Sequence, residues 1–392
     1  MEHSETSQGN AAFGSYLKKV REGRRLSLDA VEELSAGFPE KVTKSHLSRI
    51  ENGLALPSFP RLMALSHIYG MPIASLAERY ELDLRRGMAP VDLGSKTDTD
   101  ALKQVQELEM AGRYPEALDV LQALLDRGQS ASTPMEVHLR VNVVGCLVHT
   151  GRFEFAKTAC EELLSVSNLP HVQRLRLIEY FAMCCMRLGR YTFALMALDQ
   201  VEEELKRPET PRRAAADLSA IRGSTYFESG TARLAIPEFE RAKKLYMDIP
   251  NEYEACRTGL NLSEAYIAEE RYDEATKMLQ GELVVAERNG FERHRALAFS
   301  HLCVIAYRTR DLEAAEAHAI RSNTIARVLE HVALVFRNCF YLWKIAGERH
   351  DLAGAKLNER SLRAIVGRLE IQLAEADEFR AYLARGDHDE HR

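Results

Sequence analysis

Apolar positions recur every three or four residues along almost the whole chain, the spacing that lays one face of an α-helix against a core, while strand-like alternation is nearly absent. An all-α protein is expected. From Phe13 to Tyr80 the pattern divides into five short helices, with Ser27, Thr43 and Ser58 standing as N-caps before apolar-periodic runs. Phe13, Leu17, Val20, Leu26, Val31, Leu34, Leu47, Ile50, Leu62, Leu65, Ile68, Ile73 and Leu76 share the inward helical spacing and are expected to form the core of this bundle.

Around the third helix the chain reads TKSHLSRIENGLALPSFPRLMALSHIYGMPIASL. The S-R-I-E-N-G run, the following Pro57, and the L-x-x-L-x-x-x-x-G-x-P pattern from Leu62 and Leu65 to Gly70 and Pro72 resemble the Xre-type helix-turn-helix family, which includes the lambdoid phage repressors. The resemblance covers roughly residues 13–80. It implies that this domain binds operator DNA, with one helix lying in the major groove while Leu47 and Ile50 hold its other face in the core. Lys44, Ser45, Ser48 and Arg49 then point outward. By position, Lys44, Ser45 and Arg49 match the family's base-contacting places and Thr43 its phosphate-contacting N-cap. Arg49 can pair bidentately with a guanine edge and Lys44 can donate to the same acceptors. Two departures stand out: Leu28 and Glu32 replace the usual Gln and small residue of the second helix, and the stretch SAGFPEKV makes an enlarged turn before Thr43. His46 either touches a phosphate or packs against a neighbouring helix.

Residues 87–100, GMAPVDLGSKTDTD, break the helical pattern and are read as a linker. Beyond it one element recurs, ending at Ala117, Ala156, Ala194, Ala235, Ala275, Ala315 and, more faintly, Ala355, at intervals of 38 to 41 residues. A fixed period of this kind marks stacked repeats. Its G-R-Y-x-x-A form resembles the turn inside a tetratricopeptide repeat, although the period exceeds the ~34 residues of the common form. The expected architecture is a flexible tail (1–12), a five-helix helix-turn-helix domain (13–86), the linker, an α-α superhelix of about seven tetratricopeptide-like repeats (101–384) and a second flexible tail (385–392). Its plan is similar to that of the peptide-pheromone-sensing regulators of the Rgg and PlcR type. The segment after Ala355 is expected to form one long amphipathic helix that caps the array or serves a dimer interface.

Residues at fixed offsets before the repeated Ala should form ladders along the first helices. These offsets pair His138 with Asn142, Arg176 with Tyr180, Arg257 with Asn261, and Arg337 with Tyr341, each four residues apart on one helix face. An Asn side chain can clamp the amide of an extended peptide, and an arginine can hold a carboxylate through two parallel bonds. The other reading is that these side chains solvate the groove or pair with Asp217, Glu264 and Glu179.

A length of 392 residues exceeds one compact core, in keeping with a two-part chain. The formal charge of −6 divides unevenly: residues 11–90 carry 12 Lys and Arg against 9 Asp and Glu, so the basic excess lies in the first domain. The polar, acidic start and the lack of a long apolar run predict a cytoplasmic protein without a membrane segment. Seven scattered cysteines without C-x-x-C spacing read as reduced core residues. No phosphate-binding, nucleophile-elbow or H-E-x-x-H motif occurs, and the HDEHR tail makes a poor metal site, so neither an enzyme, a cofactor nor a metal is expected. The expected function is a sequence-specific, homodimeric transcriptional regulator whose partners are double-stranded DNA and a short signalling peptide. The alternative is a DNA-binding adaptor whose repeats dock a protein partner or only dimerise.

Overall fold

A computed structural model describes residues 11–88, 91–127, 134–205, 207, 210–369 and 373–389, which hold twenty α-helices and no strand. Contacts divide the chain into two compact units, Met1–Pro208 and Glu209–Arg392.

The first unit opens with α1 (Ala11–Gly23), α2 (Leu28–Leu34), α3 (Lys44–Glu51), α4 (Phe59–Ile68) and α5 (Ile73–Met88). All three expected caps form: Ser27 Oγ accepts from Ala30 N–H at 3.0 Å, Thr43 Oγ1 from His46 N–H at 3.3 Å and Ser58 Oγ from Arg61 N–H at 3.4 Å. Phe13, Leu17, Val31, Leu47, Ile50, Leu62, Leu65 and Leu76 are buried as the pattern predicts, while Val20, Leu26, Ile68 and Ile73 pack partly buried around them. Leu34 is the exception, at 55% exposed. The chain passes from α2 straight into a tight turn at Ser35–Gly37, and the enlarged connection fills the core with Val42 instead. The buried Ser35 hydroxyl accepts the Val42 N–H at 2.9 Å and donates to the Glu32 carbonyl at 2.9 Å, so this irregular backbone is satisfied. Where α1 meets α3 only glycine fits: a Cβ on Gly14 would lie 2.2 Å from the Ile50 carbonyl oxygen. Beside that crossing, the Arg21 guanidinium donates to both carboxylate oxygens of buried Glu51 at 2.7 and 2.8 Å, which gives the glutamate of the S-R-I-E-N-G run a structural task.

The repeats follow as helix pairs. In the first unit these are α6 (Asp98–Met110) with α7 (Tyr114–Arg127), α8 (Pro134–His149) with α9 (Phe153–Leu164), and α10 (His171–Arg187) with α11 (Tyr191–Leu205). In the second they are α12 (Arg212–Glu228) with α13 (Ala232–Met247), α14 (Glu252–Ala268) with α15 (Tyr272–Asn289), α16 (Glu292–Arg308) with α17 (Leu312–Val328), and α18 (Val332–Glu348) with α19 (Leu352–Val366). A last helix, α20 (Ala374–Asp389), packs on α18. The repeated alanine opens the second helix of each pair and is fully buried in the first six, where any larger side chain would push the two helices apart. Five residues earlier the backbone turns left-handed to end the first helix. Gly112, Gly151, Gly189 and Gly230 do this in the first four repeats, but Glu270, Arg310 and His350 do it in the last three, with φ of 58°, 68° and 57°. The same bond closes both versions, since Arg113 N–H and Arg271 N–H each reach the carbonyl five residues back at 2.8 Å.

Three expectations need correction. The segment after Ala355 is two helices, because α19 ends at Val366, with Gly367 as its C-cap, and α20 begins at Ala374. Residues 385–389 are helical where a flexible tail was expected, since α20 is anchored by Ala376 and Phe379, both fully buried and the latter edge-on to Phe336 at 6.1 Å. Helix α6 starts at Asp98, within the expected linker, capped by the Thr97 hydroxyl. Within residues 91–97 Leu93 is buried in the core of the first repeats, and Arg127 donates to the carbonyls of Gly94 and Lys96. Residues 1–10 and 390–392 of the expected tails lie outside the described residues.

Helix α5 also docks on the second repeat. Glu78 accepts the Phe155 N–H at 2.9 Å, Arg152 bonds Glu81 at 2.9 Å, and Ser75 meets Thr158 at 3.3 Å. Between them the Arg79 guanidinium lies 3.4 Å over the Tyr16 ring and 4.4 Å from the Phe155 ring.

Candidate nucleic-acid interface and repeat ladders

Helix α3 turns Leu47 and Ile50 inward and leaves Lys44, Ser45 and Arg49 exposed, with Ser48 half-buried and Thr43 exposed at the cap. This is the two-faced arrangement a groove-reading helix needs. Arg49 is lightly held, by one bond of 3.4 Å to the Leu54 carbonyl. Lys44 is more constrained: its ammonium lies 2.9 Å from Asp29, and its backbone N–H donates to Glu32 Oε2 at 2.7 Å. Lys41 lies 2.8 Å from the other oxygen of Glu32, and that ammonium first, then the Lys44 N–H, holds the Glu32 carboxyl below the usual carboxylate range. His46 sits half-buried 3.4 Å from Arg61, and burial, then the Arg61 and Arg49 charges, lowers its proton affinity. Of its two sequence readings, packing describes this position.

The ladder residues divide. In the first unit His138 and Asn142 form an outward pair, Nε2 to Nδ2, at 3.2 Å. Arg176 Nε donates to the Tyr180 hydroxyl at 3.0 Å, and that tyrosine is buried, its ring passing so close to Gly145 that a Cβ there would stand 2.7 Å from its oxygen. In the second unit Arg257 turns toward Glu254 at 2.6 Å, leaving Asn261 half-buried with no side-chain bond among the described residues. Arg337 lies 3.3 Å from Glu264 and 3.1 Å from Glu375, the latter supplied by α20. The same Glu264 oxygen is 4.0 Å from His301, whose Nδ1 is 3.1 Å from Ser263. Tyr341 is buried edge-on to Tyr307 at 5.4 Å. Val335, Phe336, Phe340 and Tyr341 are core, with Trp343 packed partly buried against them.

All seven cysteines are free and buried. Burial pushes the Cys146 thiol up to about 12 and the Cys185 thiol to about 11. Among the described residues there is no cluster of His, Cys, Asp and Glu arranged to hold a metal, and no helix long and apolar enough to cross a membrane. Sequence reasoning missed Asp29, Glu32 and Arg79 as participants. Only Glu32 carried a signal, as a departure from the family pattern.

Residues 12–79 match a family model described as a helix-turn-helix domain. No curated protein matches the chain. Among solved structures, the apo form of RapI is 13% identical over 70% of this chain and 77% of its own, with a TM-score of 0.56. A Rap protein complexed with competence and sporulation factor is 12% identical over 91% and 98%, with a TM-score of 0.53. PlcR of Bacillus thuringiensis in its apo form is 16% identical over 73% and 98%, but its TM-score of 0.43 is too low to carry an argument. The first two establish the fold alone. The chain thus joins an N-terminal helix-turn-helix domain to an array of tetratricopeptide-like helix pairs.

Proposed function

We propose that this protein is a sequence-specific DNA-binding transcriptional regulator of the cytoplasm, working as a homodimer, whose repeats bind a short regulatory peptide. The observation that carries the DNA reading is α3 itself. A helix anchored by Leu47 and Ile50 presents Lys44, Ser45 and Arg49 to solvent, inside the segment matched as a helix-turn-helix domain. In this reading Arg49 reads a guanine edge, Ser45 and Ser48 contact adjacent bases, Lys44 supplements them, and Thr43 sits at a phosphate. Two-fold pairing of such domains on half-sites one helical turn apart supplies affinity that one domain lacks.

The peptide reading draws on side chains whose bonds stay within their own helix, His138 with Asn142 and Arg257 with Glu254, and on Asn261, which makes no side-chain bond among the described residues. Half-buried Asn142 and Asn261 offer amides beside exposed His138 and the exposed Arg257 guanidinium, each pair within its own unit. Arg176, Tyr180, Arg337 and Tyr341 act behind them, fixing the helices on which those amides stand. The Rap structure with competence and sporulation factor shows a similar fold holding a factor, and supports the reading by analogy only. Selection of random duplex DNA with the full chain tests the first half, and a two-fold-symmetric enriched site is expected. Absence of any enriched sequence would favour the adaptor instead. Titration of a peptide pool followed by Asn261→Ala tests the second half: unchanged affinity for every peptide bound would remove Asn261 from the site.

A further inference from the structure

The N-terminus of α3 is where a DNA phosphate would ordinarily dock, because unsatisfied N–H groups and the helix dipole attract an anion there. In this chain an internal anion already stands at that place. Glu32 Oε2 accepts the first N–H of the helix, from Lys44, at 2.7 Å. Its other oxygen lies 2.8 Å from Lys41, and Asp29 lies 2.9 Å from the Lys44 ammonium. Both cations that flank the helix start are therefore matched by carboxylates of α2 and the residue that begins α3 is bonded at both its backbone and its side chain. Asp29, Lys41 and Lys44 all have side chains about half exposed or more, so these pairs are open to exchange with an incoming anion.

We infer that Glu32 and Asp29 are specificity-determining residues that compete with DNA phosphates for the start of α3 and for Lys44. Rested on the reading that α3 contacts DNA, this assigns them the task of suppressing binding to any duplex regardless of sequence. Backbone contacts carry no sequence information, whereas base contacts do. A carboxylate placed against the phosphate track therefore weakens wrong and right sites alike in electrostatics, but only the right site restores the loss through Arg49 and Ser45. At a matched site the geometry fixed by base contacts lets Lys44 leave Asp29; elsewhere the internal pairs persist. The two departures from the family pattern in α2 are thereby linked, since Leu28 has no side-chain donor for a phosphate and Glu32 repels one.

The test uses the full chain and Glu32→Gln, which removes the charge yet keeps an acceptor for the Lys44 N–H, together with Asp29→Asn. Affinity for the selected operator and for an unrelated duplex is measured over a series of KCl concentrations, with Glu313→Gln on α17 as a control for net charge. Each substitution is expected to tighten unrelated-duplex binding about three- to tenfold and to steepen the salt slope by about one, as for one added phosphate contact. Operator affinity should rise less, so the ratio of the two falls. Unchanged unrelated-duplex affinity and slope in both variants, with altered thermal stability only, would show that the carboxylates merely cap the helix and overturn the inference. An equal gain in Glu313→Gln would overturn it too. If Glu32→Gln unfolds, Asp29→Asn carries the test alone, because Asp29 holds no backbone group. A wild-type chain that binds no duplex at any salt would refute the DNA reading itself, an outcome distinct from duplex binding that ignores these two residues.

Discussion

Arg79→Ala probes the contact by which the helix-turn-helix domain is fastened to the second repeat. The guanidinium lies 3.4 Å over Tyr16 of α1 and 4.4 Å from Phe155 of α9, and 3.8 Å from Glu162, with only 19% of its side chain exposed. A partly shielded cation over an aromatic face contributes about 1 kcal/mol. The ion pair adds a few tenths, since Glu162 is half exposed. With the packing of its aliphatic stem, the side chain should stabilise the α5–α9 contact by about 2–3 kcal/mol. Native-state hydrogen exchange reads this locally, because docked segments exchange through their own opening reactions. The loss translates to roughly 30- to 150-fold faster exchange in α5 and α9 wherever those amides exchange by undocking. Exchange in α17 should not change. Phe155→Leu should give part of the effect, and the double variant should fall short of the sum by about 1 kcal/mol, since the two residues touch. Unchanged exchange in α5 and α9, or additive single effects, would refute the assignment of Arg79 as the fastening residue.

Other outcomes follow from the turns and from buried histidine. Glu270→Gly and Arg310→Gly each place glycine where φ is 58° and 68°, and each should raise stability to chemical denaturation by about 0.5–1 kcal/mol. Gly230→Ala, at φ 80°, should lower it by a similar amount, and the reverse signs would contradict the turn argument. Burial holds the His301 imidazole down at about 4, and the same cause holds His294 at about 4. The folded value thus lies below that of the unfolded chain, ~6.5. The unfolded state takes up protons first as pH falls, so stability is intact above about 6.5 and declines through the window down to about 4, His301 alone accounting for at most about 3 kcal/mol. Denaturation curves at stepped pH should show this decline, and His301→Gln should flatten it; a wild-type profile level between pH 7 and pH 5 would contradict it.

What the sequence made legible was local. The caps at Ser27, Thr43 and Ser58 and the alanine period are written in residues three to forty apart, and both appear as expected. Leu34 had the right spacing, yet no pattern foretells that a longer α2–α3 connection folds Val42 into its place. The docking of α5 was invisible because Glu78 and Phe155 meet across 77 positions, with no periodic mark on either. Counting picks out the ladder residues and Glu264 as a possible partner, and Arg337 does pair with Glu264; Glu375 of α20, which completes that pair, is brought beside Arg337 only by stacking and carries no mark in the sequence. Likewise, the sequence marks Lys44 as a donor to a guanine edge, whereas its pairing with Asp29 at 2.9 Å spans fifteen positions with no periodic mark.

If α3 reads DNA sequence, Arg49→Ala weakens binding chiefly where the matched guanine is present. Affinity of wild type and variant would be measured at one fixed salt concentration for the selected operator, for that operator with its guanines replaced, and for an unrelated duplex. The variant should lose about 1–3 kcal/mol on the intact operator, a factor of roughly 5 to 150, with much smaller losses on the other two duplexes. Equal losses on all three would contradict this reading and reduce Arg49 to a phosphate contact.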